Sequence, residues 1–169
     1  MGYDSFLQDL LSKLFKLQVE KFKRKRAKAF DIFISGVNFV HTLKKIGLKV
    51  GNKVNQQVSV PKWITSNPNC SRRCLRGLID TDGGIFKNKY RINGREYSYL
   101  KMCFTNKSLS LIDFVSKSLK LNGFNPKIYK GSKVWLCSEK EVKRYLEVIG
   151  SSNNRLNKWL GDKILVMER

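Results

Sequence analysis

"CLRGLIDTDGGIF", residues 74–86, sets two aspartates and two glycines at the end of an apolar, helix-like run. Turned at 100° per residue, Cys70, Cys74, Gly77 and Thr81 fall within about 60° of one another and form a stripe of small side chains. Small side chains let two helix backbones approach closely, a steric rule that holds in any solvent. Leu75, Leu78 and Ile79 lie to the sides of the stripe, toward a core. Asn67 followed by Pro68 makes an N-cap and first-turn pair, so the pattern predicts a helix from Pro68 that ends at Gly83-Gly84. Asp80 and Asp82 then stand at its C-terminal end, where the helix dipole disfavours negative charge by roughly 0.3–1 kcal/mol. A carboxylate in that position asks for a cation. The residues alone leave a local reading equally open, with Asp80 as a cap and Asp82 as a turn residue before glycine. A calcium loop starting at Asp80 is excluded, because its fifth, sixth and twelfth positions would be Gly84, Ile85 and Arg91.

The two acids stand out against their surroundings. Lys and Arg total 34 against 13 Asp and Glu in 169 residues, a formal net charge of +21. That balance is the electrostatic footprint of a nucleic-acid binder, favoured over a membrane surface or an acidic protein as the partner. With 41% apolar residues the chain reads as globular, with one core or two small subdomains. No apolar run approaches the ~20 residues of a membrane span, and the N-terminus lacks a signal-peptide pattern. The expected location is intracellular, in a prokaryotic cytoplasm or an organelle, and not secreted. Cys70, Cys74, Cys103 and Cys137 have no C-x-x-C spacing and the single histidine is His41, so free thiols are expected rather than a zinc site.

Compared with itself, the chain repeats. "FLQDLLSKLFKL" (6–17) aligns without a gap on "SLIDFVSKSLKL" (110–121), and Ser35, Leu43, Ile46 and Gly47 recur as Ser138, Leu146, Ile149 and Gly150. Each copy reads as a helix, a basic hairpin and a second helix ending at Ile-Gly, with Gly47 and Gly150 suited to left-handed C-cap positions. Only the second copy is preceded by a further helix and long hairpin, residues 68–106. The organisation is therefore a partial first repeat at 1–50, a connector at 51–67 anchored by Val60 and Trp63, and a complete repeat at 68–169.

Alternation gives the strands two faces. Lys87, Lys89 and Arg91 share one parity against Phe86, Tyr90 and Ile92, and Arg95, Tyr97, Tyr99 and Lys101 oppose Leu100, Met102 and Phe104. Asn93-Gly94 is the hairpin turn between them. Lys127, Tyr129, Lys133 and Trp135 likewise oppose Ile128, Val134 and Leu136. The expected product is one sheet, basic toward solvent and apolar toward the helices. The first copy adds Lys21, Lys23, Arg24, Lys25, Arg26 and Lys28, a density suited to phosphate contacts.

"LRGLIDTDG", Leu75 to Gly83, resembles the LAGLIDADG signature of homing endonucleases at seven of nine positions, differing at Arg76 and Thr81. The connector stretches "LKVGNKV" and "VPKWI" extend the resemblance over nearly the whole chain. It implies an α+β fold, an αββαββα saddle in each repeat, with signature helices packed together and sheets in the DNA major groove. It also implies a sequence-specific endonuclease for double-stranded DNA, of the kind associated with intron or intein mobility. Asp82 would be the metal ligand, Asp80 a support for helix packing, Asn106 a residue ordering water, and Lys53 and Lys158 the basic residues beside the site. Mg²⁺ is the expected ion, since carboxylate and phosphate oxygens are hard donors. The family uses two signature helices and this chain has one, so Cys70, Cys74, Gly77 and Thr81 would receive the second from a homodimer mate or a separately encoded chain. The alternative is a catalytically inactive DNA- or RNA-binding relative or an RNA-splicing maturase.

Overall fold

The computed structural model describes residues 2–25 and 30–159, which divide into two compact units, Met1–Leu48 and Lys49–Arg169. The first unit runs α1 (Tyr3–Phe15), β1 (Glu20–Lys23), β2 (Phe30–Phe33) and α2 (Val37–Lys45). Its strands pair antiparallel, with Glu20 opposite Phe33 and Lys23 opposite Phe30. Gly47 follows α2 at φ 100°, in the left-handed region that its lack of a side chain permits. Two of the basic residues here are taken up by acids. Lys21 is ion-paired with Asp4, and Arg24 forks onto both oxygens of Asp31 at 2.5–2.9 Å.

The second unit continues with α3 (Lys62–Thr65), α4 (Pro68–Asp82), β3 (Gly83–Ile92), β4 (Arg95–Thr105), α5 (Leu109–Leu121), β5 (Lys127–Tyr129), β6 (Lys133–Leu136), α6 (Glu139–Val148) and α7 (Asn154–Asn157). From α4 to α6 the order is αββαββα, in the α+β class. The strands form one antiparallel sheet in the order β3-β4-β6-β5. Leu100, Met102, Phe104, Val134 and Leu136 point from the sheet into a core closed by Leu75 and Ile79 of α4, Val115 and Leu119 of α5, and Val142, Tyr145 and Leu146 of α6. The helices thus cover one face. Val60 of the connector packs against this core, whereas Trp63, expected to do the same, is 54% exposed.

The junction between α4 and β3 differs from the expected cap. Asn67 accepts from the amides of Asn69 and Cys70 and opens the helix as read from the sequence. At the other end Gly83 is extended, at φ −96° and ψ 166°, not left-handed. Chain reversal is unnecessary because the helix runs straight into the strand. Glycine is required for space: a Cβ on Gly83 would lie 2.9 Å from Ile79 Cγ2 and closer still to the Ile79 carbonyl oxygen.

The strand register corrects one face. Ile92 lies opposite Arg95, Tyr90 opposite Tyr97, and Phe86 opposite Lys101. Directly opposed residues point the same way. Phe86, Tyr90 and Ile92 therefore share the open face with Arg95, Tyr97, Tyr99 and Lys101. Lys87, Lys89 and Arg91 stand on the helix side, opposite Leu100, Ser98 and Glu96, and Arg91 pairs with Glu96 at 3.0 Å. The distal half of this hairpin runs past the core, with residues 89–98 exposed on both faces, so burial does not sort its side chains. The two-residue Asn93-Gly94 turn sets the pairing instead.

Candidate active site

Asp82 is the last residue of α4, and its exposed carboxylate stands where the sheet begins. Asn106, one residue past β4, donates Nδ2 to Asp82 Oδ2 at 3.0 Å. The asparagine is itself fixed at both ends of its polar groups. Its backbone N–H donates to the Ser132 carbonyl at 3.1 Å, and its Oδ1 accepts from the Ser108 amide at 2.9 Å. A free side chain would lose rotamer freedom on meeting Asp82, and this one is already held.

The connector carrying Lys53 is docked on the same segment. Ser108 Oγ donates to the Val58 carbonyl at 2.7 Å and the Leu109 amide donates to Gln57 Oε1 at 2.9 Å. Val58 in turn donates to the carbonyl of Lys53. Lys158 arrives from the opposite side of the sequence, at the end of α7. Asn153, the N-cap of α7, donates Nδ2 to the Asp80 carbonyl at 2.8 Å. The connector thus rests at the start of α5 and the segment before α7 rests on the end of α4, while Asp82 and Asn106 are the pair in direct contact. Lys158 extends over the Trp159 ring at 5.1 Å.

Asp80 has a separate task. Its side chain is buried and accepts from Ser151 Oγ at 2.5 Å and the Ser152 amide at 2.8 Å. Burial pushes its carboxyl above the ordinary 3.8, while these hydrogen bonds and the Arg76 charge pull the other way. The partners lie some seventy residues on, and no spacing in the sequence points to them.

Along the stripe on α4, Gly77 and Thr81 are exposed and Cys70 and Cys74 are half-buried. Cys74 leans on the core of its own unit, which pushes its thiol up. A Cβ on Gly77 would meet nothing within 4 Å, so nothing in this unit calls for glycine there. Among the described residues no three His, Cys, Asp or Glu side chains converge on one point. Asp82 presents a single hard-oxygen donor group.

The open face of the sheet is basic and aromatic. Lys127, Tyr129, Lys133 and Trp135 stand on it with Arg95, Tyr97, Tyr99 and Lys101. Lys101 Nζ lies 5.1 Å from the Tyr99 ring centre and 5.8 Å from that of Trp135, and the Tyr99 hydroxyl pushes its pKa up. No Asp or Glu occupies a position on this face. The alternation reading missed Phe86, Tyr90 and Ile92 as members of it; the Asn-Gly turn was the signal that would have found them. In the first unit Lys23 and Lys25 are exposed, and Arg26 and Lys28 lie outside the described residues.

An α+β module with one face covered by helices, the other basic, and an acid-tipped helix at the sheet's start belongs among nucleic-acid-handling folds. Residues 69–150 match the LAGLIDADG-like domain, and the chain belongs to the LAGLIDADG family through that domain. This is a nuclease and DNA-binding family whose enzymes typically use divalent metals and whose members generally dimerise. Over 134 residues, 77% of its length, the chain is 31% identical to the replication factor C small subunit of Methanocaldococcus jannaschii. It spans 7% of that protein's length. No helix among the described residues is long and apolar enough to cross a membrane.

Proposed function

We propose that the chain is a metal-dependent endonuclease for double-stranded DNA that works with a second signature helix. The observation that carries this reading is the exposed Asp82 carboxylate, tied to a fixed Asn106 at the foot of an acid-free basic face. Oδ2 is oriented by the amide and Oδ1 is left to a ligand. A hard divalent ion such as Mg²⁺ suits that oxygen, and when bound it supplies charge neutralisation at the phosphate and a more acidic water. Asn106 would hold the carboxylate and share in ordering the water. Lys53, on the connector, and Lys158, at the end of α7, would face the phosphate and steady the charge that grows on it. In the reaction water adds to phosphorus, the bond to the leaving sugar oxygen breaks, and that oxygen takes up a proton.

One carboxylate is half of the arrangement. The second is read as coming from another signature helix laid along Cys70, Cys74, Gly77 and Thr81, in a homodimer mate or a separately encoded chain. The reading takes the chain as three segments, a partial repeat at 1–50, a connector at 51–67 and a complete repeat at 68–169, of which the last carries the signature helix. That a lone acid stands where two are used favours the other reading as well: a non-cleaving DNA- or RNA-binding relative, or a splicing maturase.

Cleavage of a randomised duplex library with Mg²⁺, comparing wild type with Asp82→Asn, separates the two. Nicked or cut wild-type product with an inactive variant of equal affinity supports the enzyme. Equal binding with no cutting by either, at concentrations where the chain self-associates, sinks it.

A further inference from the structure

Ser108 stands at the N-cap of α5, where a serine hydroxyl ordinarily accepts from an amide in the first turn of its own helix. Here it makes no such bond. The residue is 2% exposed, and its hydroxyl donates away from the helix to the Val58 carbonyl at 2.7 Å. The cap comes instead from the connector, where Gln57 Oε1 accepts from the Leu109 amide at 2.9 Å. The same side-chain amide donates Nε2 to the Lys107 carbonyl at 3.3 Å, so it grips the backbone on both sides of Ser108. Gln57 does this with φ at 44°, in the left-handed region that an L side chain enters against a steric cost. Such a conformation persists where the contacts around it over-determine it.

The clamp joins two things. On one side the Ser108 amide donates to Asn106 Oδ1 at 2.9 Å, and Asn106 donates to Asp82 at 3.0 Å. On the other is a closed turn, in which Asn52 Oδ1 accepts from the amides of Val54 and Asn55 and Val58 donates to the Lys53 carbonyl at 3.2 Å. Lys53 is the one basic residue between Asn52 and Val58. It is exposed, and its ammonium makes no ion pair among the described residues. Ser108 is shared by both sides: its N–H holds Asn106 and its hydroxyl holds the turn. A lysine stem is flexible, so the reach of its charge is set by where its backbone is held.

We propose that Ser108 and Gln57 are positioning residues, a clamp that sets the Lys53 turn relative to the Asp82–Asn106 pair. Neither touches the phosphate, and both act through Lys53. This rests on the endonuclease reading above and names what holds its lysine in place.

The test uses the full chain and the duplex that the wild type cuts with Mg²⁺. Gln57→Gly removes the side-chain grip and suits the φ of 44°, so the chain should fold. Ser108→Ala removes the other contact; should it fail to fold, Gln57→Gly decides alone. Amide hydrogen exchange reads the clamp without cleavage: Leu109 should lose protection in Gln57→Gly and keep it in Lys53→Ala. Single-turnover cleavage should fall about 10- to 100-fold in Gln57→Gly and Ser108→Ala, as for a group displaced by about 1 Å, with duplex affinity nearly unchanged. On a Lys53→Ala background the same substitutions should cost less than about twofold, the mark of residues acting through one group. Cleavage at the wild-type rate by Gln57→Gly or by Lys53→Ala overturns the proposal and leaves the endonuclease standing. Fully additive losses overturn it as well, because the two residues then act through the fold. Unchanged Leu109 exchange in Gln57→Gly shows that there is no clamp. A wild type that cuts no duplex removes the endonuclease reading, and the proposal with it.

Discussion

Asn106 donates its amide to the carboxylate of Asp82 across 3.0 Å, joining the residue after β4 to the last residue of α4. The contact fixes which oxygen faces outward. If Asp82 holds the divalent ion, Asp82→Asn should lower cleavage by about 10³-fold with duplex affinity nearly unchanged, because a carboxylate charge at the phosphate is lost. Asn106→Ala should cost less, about 10- to 100-fold, as for other residues that orient a ligand, and should raise the Mg²⁺ concentration needed for half-maximal rate. Single-turnover cleavage across a Mg²⁺ series measures both. A rate for Asn106→Ala equal to wild type at every Mg²⁺ concentration would break the link.

Asp80 lies two residues away and holds the fold. Removing a buried carboxylate that accepts from Ser151 and Ser152 leaves two donors unpaired, so Asp80→Ala should cost about 2–4 kcal/mol in urea unfolding. The pH dependence has a definite sign. A carboxyl whose folded pKa is raised contributes stability that is complete below its unfolded value, near 3.8, and is lost as pH rises through the folded value. Relative to Asp80→Asn, which has no such titration, the wild type should lose stability as pH climbs from below 3.8 toward neutrality. A wild-type curve that gains on the variant over that interval would contradict the burial of Asp80 as the dominant influence.

Much of this was open to reading in the sequence. The Asn67-Pro68 start, the small stripe and the acid pair define α4, and the repeat of 6–17 at 110–121 marks α1 and α5. What was hidden has two physical causes. Residues 89–98 are exposed on both faces, so hydrophobic alternation there carries no burial signal, and Tyr90 and Ile92 were assigned to the wrong side together with Phe86, which shares their parity. The partners of Asp80 come from residues 151–153, brought near only by tertiary packing. Sequence distance hid the second effect; the Asn-Gly turn, applied as a register rule, would have removed the first.

Salt dependence distinguishes free cations from those already paired. Each lysine that neutralises a duplex phosphate contributes about 0.9 to the slope of log affinity against log salt. Lys101→Ala and Lys133→Ala should each reduce that slope by nearly this amount. Arg24→Ala should change it less, because its guanidinium is forked onto Asp31. Fluorescence anisotropy from 50 to about 300 mM salt gives the slopes. Equal reductions for Lys101 and Arg24 would show that the ion pair opens on DNA.

Two glycines six residues apart make opposite predictions for the same change. Gly83→Ala forces a Cβ against Ile79, part of the buried core, and should destabilise by about 1–3 kcal/mol, as overpacking does. Gly77→Ala meets open space in mid-helix and should stabilise the isolated chain by up to about 1 kcal/mol, the difference in helix propensity. If a second signature helix packs at Gly77, a larger side chain there must stand in its way. Gly77→Leu should then keep its melting temperature yet lose self-association or partner binding in sedimentation velocity, and lose cleavage with it. Retained cleavage by a stably folded Gly77→Leu chain would mean that no helix lies against this stripe during the reaction.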